Sequence, residues 1–250
     1  MNQQSSLSLL LLFVLSLSMA ISHPSYSDEN DDSDLFTFVR LRYTGGNSWF
    51  GNGWDVDLPA SDRNFIRKLT QATDMPVARH EKIISVGSPA LFNYPFAYIL
   101  EVGTLNLSNA EAANLREYLL RGGFIMVDDF HGGTEWRHFY RQLKKIFPER
   151  EPEDIPITHS IFHCFFDIDT LVQIPGIRSL YNGRTYERRD GYPAHCRGVY
   201  DEHGRLMMMI NFNTDLGDAW EHAAEGFYPR KYSDWAYRLG INAVVYALTH

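Results

Sequence analysis

The sequence is poor in cysteine and in positive charge. Two of its 250 residues are cysteine, and 31 acidic side chains outnumber 23 lysines and arginines, which gives a formal net charge of -8. Such a chain repels duplex nucleic acid, whose binding depends on neutralising phosphates with basic side chains. The densest basic cluster, Arg184 to Arg189, is short. We therefore expect no nucleic-acid partner.

The longest apolar run lies at the N-terminus and is short for a membrane span. Leu7 to Ile21 is apolar apart from serines, whereas a spanning helix needs about 20 apolar residues. Ala20-Ile21-Ser22 fits a small-x-small cleavage site, so residues 1–22 are predicted to be an export signal. Met1 to Ser6 has no Lys or Arg, which leaves an uncleaved membrane anchor as the alternative. We expect an exported protein of the periplasm or cell envelope.

An acidic stretch separates this signal from the folded part of the chain. Residues 23–34 include five Asp and Glu side chains, at positions 28, 29, 31, 32 and 34. Like charges at this density favour a solvated, disordered leader. No repeat or linker divides the rest of the chain, so residues 35–250 are predicted to form a single domain.

Patterns of buried strands and amphipathic helices alternate through the first half of that domain. The most informative stretch is 122–133, in which four apolar residues follow two glycines and end at two carboxylates. The predicted strands are 35–43, 82–86, 94–102 and 124–128, and the predicted helices begin near Ser61, Ser108 and Thr134. This order predicts an α/β fold with a mostly parallel sheet and helices on both faces.

The second half is less regular. Ile161–Ile168 and Leu171–Ile174 are apolar runs, and a helix is predicted from Asp234 to Leu248. Arg197–Tyr200 and Arg205–Phe212 flank a turn-forming tetrapeptide, which predicts a hairpin added to the sheet.

The two cysteines, Cys164 and Cys196, each follow a histidine. They are interpreted as free buried thiols, with a disulfide or a shared metal site as alternatives. Adjacent ligands on a strand point to opposite faces, which weakens the metal interpretation.

Four stretches together resemble the bacterial domain-of-unknown-function 4159 family. They are GGFIMVDDF at 122–130, THSIFHCFFDI at 158–168, GRLMMMINFNTDLGDAWE at 204–221 and AYRLGINAVVYALTH at 236–250. The resemblance covers about residues 35–250. It implies a class I glutamine amidotransferase-like fold, which is a flavodoxin-like three-layer sandwich, and it implies no established activity.

The resemblance also indicates what the chain does not do. Amidotransferases of that fold carry a nucleophilic Cys where a strand turns into a helix, and the matching segment here is Glu101-Val102-Gly103-Thr104. Neither Cys164 nor Cys196 lies in a Gly-x-Cys-x-Gly setting. We expect no glutamine amidotransferase activity.

Asp128, Asp129 and His131 are candidate ligand-binding residues, because ligands of open α/β sheets collect at the carboxyl ends of strands. One Asp could bind a cation or a substrate hydroxyl, with His131 as ligand or base. The structural alternative is that an Asp caps the helix that begins near Thr134.

His159 and His163 are candidate metal ligands. Residues four apart share one face of a helix, which is the spacing of a zinc-binding pair. On a strand the same residues would lie about 13 Å apart at Cα, too far for joint ligation. No Glu follows His159 in the manner of an HExxH motif.

A polar segment after the second hairpin strand provides the remaining candidates. Its side chains could hold sugar-like hydroxyls or a divalent ion; alternatively, they stabilise a loop while the tryptophan packs inward. The candidates are Asn213, Asp215, Asp218, Trp220 and Glu221, beside Asn211.

The sequence supports two functional hypotheses. The first, which we favour on the sequence alone, is a noncatalytic binding or assembly module of the cell envelope, whose partner is an envelope protein or a small polar ligand. It depends on the missing nucleophile. The alternative is a metal-dependent hydrolase acting on a carbohydrate or related envelope substrate. That alternative requires the acidic and histidine candidates to meet around a divalent metal ion.

Overall fold

The structure, a computed structural model, describes residues 35–45 and 53–250. The strands are β1 (Val39–Arg42), β2 (Lys82–Ser85), β3 (Phe96–Leu100), β4 (Phe124–Asp128), β5 (Glu153–Asp154), β6 (His195–Tyr200) and β7 (Leu206–Phe212). The helices are α1 (Ala60–Ala72), α2 (Asn109–Leu120), α3 (Gly132–Ile146), α4 (Ile177–Tyr181), α5 (Leu216–Glu221) and α6 (Arg230–Thr249). The chain in this part is a mixed α/β domain.

The strands form one seven-stranded sheet in the order β2-β1-β3-β4-β7-β6-β5. The first five of these run parallel to one another, and β6 and β5 continue the sheet in antiparallel pairing. β4 lies in the interior of the parallel part, between β3 and β7. The carboxyl ends of β1, β3, β4 and β7 therefore meet at one edge, where polar side chains can converge.

Hydrophobic side chains cover both faces of the sheet. Along β3, Phe96, Tyr98 and Leu100 belong to one apolar cluster, while Ala97 and Ile99 belong to the other. Helices α1, α5 and α6 pack on the first face, and α2 and α3 pack on the second. Because both faces are buried, the central strands β3 and β4 are apolar from Phe96 to Leu100 and from Phe124 to Val127, as parallel strands of α/β proteins usually are.

A buried ion pair lies beneath this packing. Arg40 of β1 and Asp62 of α1 have side chains that are 0% exposed. Arg40 Nε donates to Asp62 Oδ2 at 3.1 Å, and its Nη2 donates to the hydroxyl of Ser61 at 3.0 Å. The helix predicted to begin near Ser61 begins at Ala60, with Pro59 at its N-cap position. The Ser61 hydroxyl does not cap the helix but accepts the hydrogen bond from Arg40.

The order of elements in the first half is confirmed from β1 to α3, and so are the hairpin of β6 and β7 and the terminal helix α6. The Ser108 capping box with Glu111 is present. The run Ile161–Ile168 contains only part of a short 3-10 helix. Here the side chain of Asn242 in α6 bonds the amide and the carbonyl of Phe166, both at 2.8 Å, so no neighbouring strand is needed.

The predicted export signal at 1–22 and the acidic leader at 23–34 lie outside the described residues. Within the described residues, none of the helices has the length and apolar character that crossing a bilayer requires.

Candidate functional site

Four residues at the carboxyl edge of the sheet have left-handed backbones. Glu101, Asp129 and Asn213 follow β3, β4 and β7 with φ of 52°, 51° and 63°, and Asp57 in the loop before α1 has φ of 63°. They are all of the non-glycine residues with positive φ in the described part of the chain. Such conformations cost of order 1–3 kcal/mol each and cluster at functional sites. This edge is therefore the candidate site.

Asp128 is a structural residue of this edge. Its side chain is 0% exposed. Its Oδ2 accepts hydrogen bonds from the hydroxyl of Tyr98 at 2.7 Å and from the amides of Leu216 and Gly217 at 2.9 and 3.2 Å. Burial raises the pKa of Asp128 to about 7, although these hydrogen bonds oppose the rise. The prediction that an Asp after β4 caps the helix near Thr134 is wrong for Asp128, whose carboxylate accepts from the first two amides of α5 and not from α3. The N-cap of α5 is Asp215, whose Oδ1 accepts from the amide of Asp218 at 2.8 Å.

Asp129, His131 and Glu187 form a first group of potential metal ligands. His131 Nε2 lies 3.0 Å from Asp129 Oδ1 and 3.8 Å from Glu187 Oε2. One ligand atom from each residue fits within 4.8 Å of the others. Burial, aided by the nearby Arg188 guanidinium, lowers the pKa of His131 to about 3, so the imidazole is neutral at physiological pH. A neutral imidazole is the form that binds metals.

Asp57, Asp129 and Asp215 form a second group, whose ligand atoms also lie within 4.8 Å of one another. Burial is the main reason that the pKa of each carboxyl is raised well above its ordinary value, and neighbouring carboxylates raise it further. Asp57 Oδ2 is buried and has no hydrogen-bond partner among the described residues. Such an arrangement is costly unless a cation or protons compensate it.

Two glycines leave room for these carboxylates. A Cβ on Gly176 would lie 2.1 Å from Glu187 Oε1 and 2.8 Å from Asp215 Oδ2. A Cβ on Gly217 would lie 2.4 Å from Asp57 Oδ2. The first of these contacts shows that the Glu187 and Asp215 carboxylates approach the same point, so the two groups are contiguous.

Glu101 occupies the turn directly after β3, where the amidotransferase-like fold expected from the sequence would carry a nucleophile. It has φ 52° and ψ 34° between β3 and a short 3-10 helix. Its carbonyl oxygen accepts hydrogen bonds from the hydroxyls of Tyr43 at 2.8 Å and Thr104 at 3.1 Å. Burial, and then repulsion from Glu135 and Glu187, raises the pKa of its carboxyl to about 7. A general acid or base works best with a pKa near the working pH.

A surface cleft adjoins the Glu101 corner. Its volume is about 530 Å³, and it is distinct from the carboxylate groups. The lining residues are Arg42, Tyr43, Thr44, Gly45, Trp54, Ser85 and Glu111. Tyr43 connects the cleft to the site, because its hydroxyl also donates to the carbonyl of Leu100 at 3.0 Å. Aromatic and polar side chains together suit a sugar-like ligand.

Asn213 and Trp220 have structural contacts. Asn213 Oδ1 accepts from the amide of Gly132 at 2.9 Å, and its Nδ2 donates to the carbonyl of Pro193 at 2.9 Å. Trp220 is 0% exposed and packs against Phe65 with ring centroids 4.5 Å apart. Trp220 therefore packs inward, which was the structural alternative to ligand binding for this residue.

Asp218, Glu221 and His222 form a third group of potential ligands, nearer the surface. Asp218 Oδ2 accepts from the amide of Ile177 at 2.6 Å, and His222 Nε2 lies 3.5 Å from its other oxygen. The hydrogen bond to Asp218 is the main reason that the pKa of His222 is raised to about 9. A protonated His222 compensates one of the two carboxylate charges of this group without a metal.

His159 and His163 are not in any of the three groups found among the described residues. His159 is the N-cap of the 3-10 helix, where its Nδ1 accepts from the amide of Ile161 at 3.1 Å. His163 Nε2 lies 2.8 Å from the carbonyl oxygen of Ile157, and its Nδ1 lies 3.1 Å from Asp167. Their joint metal binding stays a prediction.

Both cysteines are free. Cys164 Sγ donates to the carbonyl of Asn242 at 3.2 Å, and Cys196 is buried 3.6 Å from the side-chain oxygen of Asn211. The free-thiol interpretation describes this state.

Sequence reasoning found Asp129, His131 and Asp215 but missed two of their partners. Asp57 and Glu187 both lie in loops. The loop before α1, which contains Asp57, is glycine-rich and aromatic, and this character is typical of a functional loop. Nothing in the local sequence marks Glu187.

The fold and the site together define a mixed α/β domain with an acidic cluster at the carboxyl edge of its parallel strands. A family model described as "Domain of unknown function (DUF4159)" matches residues 37–248. Because the match covers most of the chain, the protein belongs to this family, and the resemblance on the four sequence stretches is confirmed at that level. No curated protein matches the chain.

Proposed function

We propose that this protein is a hydrolase that depends on a divalent cation. The observation that carries the proposal is the convergence of Asp57, Asp129 and Asp215, three acidic groups with raised pKa values and one unpartnered buried oxygen. Carboxylate oxygens are the ligands that Mg²⁺, Mn²⁺ and Ca²⁺ prefer. The sequence alone favours the noncatalytic module, because the nucleophilic Cys is missing, whereas the acidic cluster favours the hydrolase.

The chain's own residues have distinct tasks in this proposal. Asp57, Asp129 and Asp215 would hold the cation, which would polarise a substrate oxygen or activate water. Glu101 would accept the proton of the attacking water, because burial and the nearby carboxylates raise the pKa of its carboxyl to about 7. Arg188, beside Glu187 at the rim, can contact an anionic substrate group.

We further propose a class I glutamine amidotransferase-like, flavodoxin-like scaffold. The left-handed Glu101 at the turn after β3 supports this assignment, because it lies where that fold carries its nucleophile. For the substrate we propose a carbohydrate or related molecule of the envelope. Trp54 and Tyr43 in the adjoining cleft support a sugar-like ligand, and the N-terminal sequence supports export to the periplasm.

The second candidate is a noncatalytic binding or assembly module. The presence of Glu101 where the amidotransferase-like fold would carry a nucleophilic Cys favours this candidate. In that case the cation would stabilise the edge of the sheet and a bound ligand or partner, without turnover.

The test compares the purified full chain with Asp129→Asn and Glu101→Gln. Each protein is titrated calorimetrically with Mg²⁺, Mn²⁺ and Ca²⁺, then assayed with nitrophenyl glycosides, esters and phosphates in the same ions. We expect the wild type to bind and hydrolyse, Asp129→Asn to do neither, and Glu101→Gln to bind but lose about 10²–10⁴-fold in rate. Glu149→Gln, at an exposed ion pair with Arg116, is the control.

Three results are decisive. Binding with hydrolysis that Glu101→Gln abolishes supports the hydrolase. Binding without turnover of any substrate class rejects the hydrolase in favour of the module. A wild-type protein that binds none of the ions overturns both the cation site and the hydrolase.

A further inference from the structure

Asp129 belongs to the first two of the three groups of potential ligands. It shares one group with Asp57 and Asp215 and the other with His131 and Glu187. The left-handed backbone of Asp129, with φ of 51° directly after β4, carries the side chain into the space between them. One carboxylate has two oxygens and can bind a different cation with each.

The two groups are also connected on their far side. Glu187 Oε2 faces His131 at 3.8 Å, while Glu187 Oε1 and Asp215 Oδ2 lie 2.1 and 2.8 Å from the point where a Cβ of Gly176 would be. The ligand atoms of the two groups thus approach one another and do not form two separate patches. Pairs of catalytic metal ions lie about 3.5–4 Å apart, so they need ligands that approach one another as these do.

Charge balance favours two ions over one. The two groups contain four carboxylates, those of Asp57, Asp129, Asp215 and Glu187, and one imidazole, that of His131. The carboxylate of Asp218, which lies nearby, pairs with His222. A single divalent ion would leave two uncompensated negative charges among them. Two divalent ions neutralise all four carboxylates, which buried charges require.

An orphaned atom shows that the protein alone does not complete the site. Asp57 Oδ2 is buried without a hydrogen-bond partner among the described residues. Buried polar atoms normally find a partner, so this unmatched oxygen, in the group with Asp129 and Asp215, indicates a missing ligand.

We propose that Asp129 bridges two divalent cations, one held with Asp57 and Asp215 and the other with His131 and Glu187. This inference rests on the proposed function and specifies that the site holds two metal ions. A bridged pair can contact both the attacking and the leaving oxygen of a substrate.

The test uses Mn²⁺, because its electron spin resonance spectrum reports whether two ions share a ligand. The full chain is stripped with chelator and titrated with Mn²⁺, and the stoichiometry is measured by calorimetry and elemental analysis. We expect two Mn²⁺ per chain and an exchange-coupled spectrum. Glu187→Gln and Asp57→Asn should each retain one ion with an uncoupled six-line spectrum, and Asp129→Asn should lose the coupled pair.

The control and the second variant keep the result interpretable. Glu149→Gln, whose carboxylate pairs with Arg116 at the surface, should bind two coupled ions. His131→Gln removes a ligand of the same group as Glu187, so it decides the point if Glu187→Gln does not fold. Circular dichroism and thermal unfolding verify each variant.

The outcomes separate this inference from the proposed function. One Mn²⁺ per chain, or two that are uncoupled in the wild type, overturns the bridge but leaves cation-dependent hydrolysis intact. No bound Mn²⁺ overturns both.

Discussion

Some of the side chains at the strand ends could be predicted from the sequence as site residues, and others could not. Asp128, Asp129 and His131 follow an apolar run, and position alone indicates that they lie at the rim of the sheet. Their roles were not predictable, because Asp128 caps α5, which is far away in sequence. Glu187 joins them only through the tertiary fold, in which a loop returns to His131.

Gly176 provides a test of the space between the carboxylates. Gly176→Ala should lower cation affinity about 10–100-fold, because its Cβ would displace Glu187 and Asp215, as changes beside metal ligands commonly do. Calorimetric titration with Mn²⁺ measures the effect. Gly226→Ala is the matched control, since a Cβ there meets nothing within 4 Å. Equal affinity of the two variants would contradict the proposed positions of the ligands.

The Arg40–Asp62 pair provides a test of burial. Asp62→Ala should destabilise the protein by about 3–5 kcal/mol, because it leaves the Arg40 guanidinium buried without its counter-ion. Glu117→Ala removes the partner of Arg121 in a surface ion pair, in which Arg121 is 67% exposed and Glu117 is 50% exposed. This control should change the free energy of unfolding by less than about 1 kcal/mol. Urea unfolding measures both. Similar losses in the two variants would refute the argument.

Helices and strands were predictable where their patterns are local. The period-3.6 stripes and the apolar strands of the first half give the observed order from β1 to α3. The segment between α3 and β6 was not predictable in this way. Its backbone is satisfied by a side chain of α6, as at Phe166 and Asn242, and no local pattern reports a partner 76 residues away.

Gly240 determines how closely α6 packs on its neighbours. A Cβ there would lie 2.5 Å from the ring of Phe65 in α1 and 2.8 Å from that of Trp220 in α5. Gly240→Ala should therefore destabilise the protein by about 1–3 kcal/mol, from which the better helix propensity of Ala subtracts about 1 kcal/mol at most.

Urea unfolding of Gly240→Ala and of the double variant with Phe65→Leu tests this packing. The smaller side chain should relieve the clash, so the double variant should lose less than the sum of the two single losses. Simple additivity would show that the contact does not limit the approach of α6.

At the scale of the whole molecule, the parallel sheet with helices on both faces was predictable, because alternation of strands and helices has few solutions. The family model matches residues 37–248, and the single-domain bounds of 35–250 stay a prediction. The carboxyl edge could be predicted as a rim, but not its accumulated charge, which arises from loops that meet only after folding.

That accumulated charge predicts a pH dependence of the cation-free protein. Burial raises the pKa of Asp128 and Glu101 from 3.8 and 4.5 to about 7. A carboxyl whose pKa is higher in the folded state contributes stability that is complete below its unfolded pKa and is lost as pH rises through the folded value. The loss therefore falls between about pH 4 and 7. Asp57, Asp129 and Asp215 act in the same direction.

Histidines modify this profile. The pKa of His131 is lowered to about 3, so this residue increases the stability of the protein as pH rises from about 3 to 6.5. The pKa of His222 is raised to about 9, so the stability that this residue contributes is lost as pH rises from about 6.5 to 9. The carboxyls outnumber His131, so the thermal midpoint of chelator-treated protein should fall by on the order of 5 °C between pH 5 and 7.5. Differential scanning calorimetry measures it.

Divalent cations should reverse this trend. At pH 7.5, an ion at a hundredfold excess over its dissociation constant adds about 2.7 kcal/mol for one site. An Asp129→Asn variant should show no such gain. A wild-type midpoint that is independent of both pH and added ions would contradict the proposed charge cluster.

The left-handed corners at Asp57, Glu101, Asp129 and Asn213 have a consequence for protein engineering. Glycine adopts this backbone without strain, so replacing Asp57, Glu101 or Asp129 with glycine removes a local penalty along with a side chain. Asn213 is the exception, because its side chain bonds the amide of Gly132 and the carbonyl of Pro193. Laboratory evolution that selects for heat resistance alone should therefore enrich glycine at the other three corners. The enriched positions would outline the working region of the molecule.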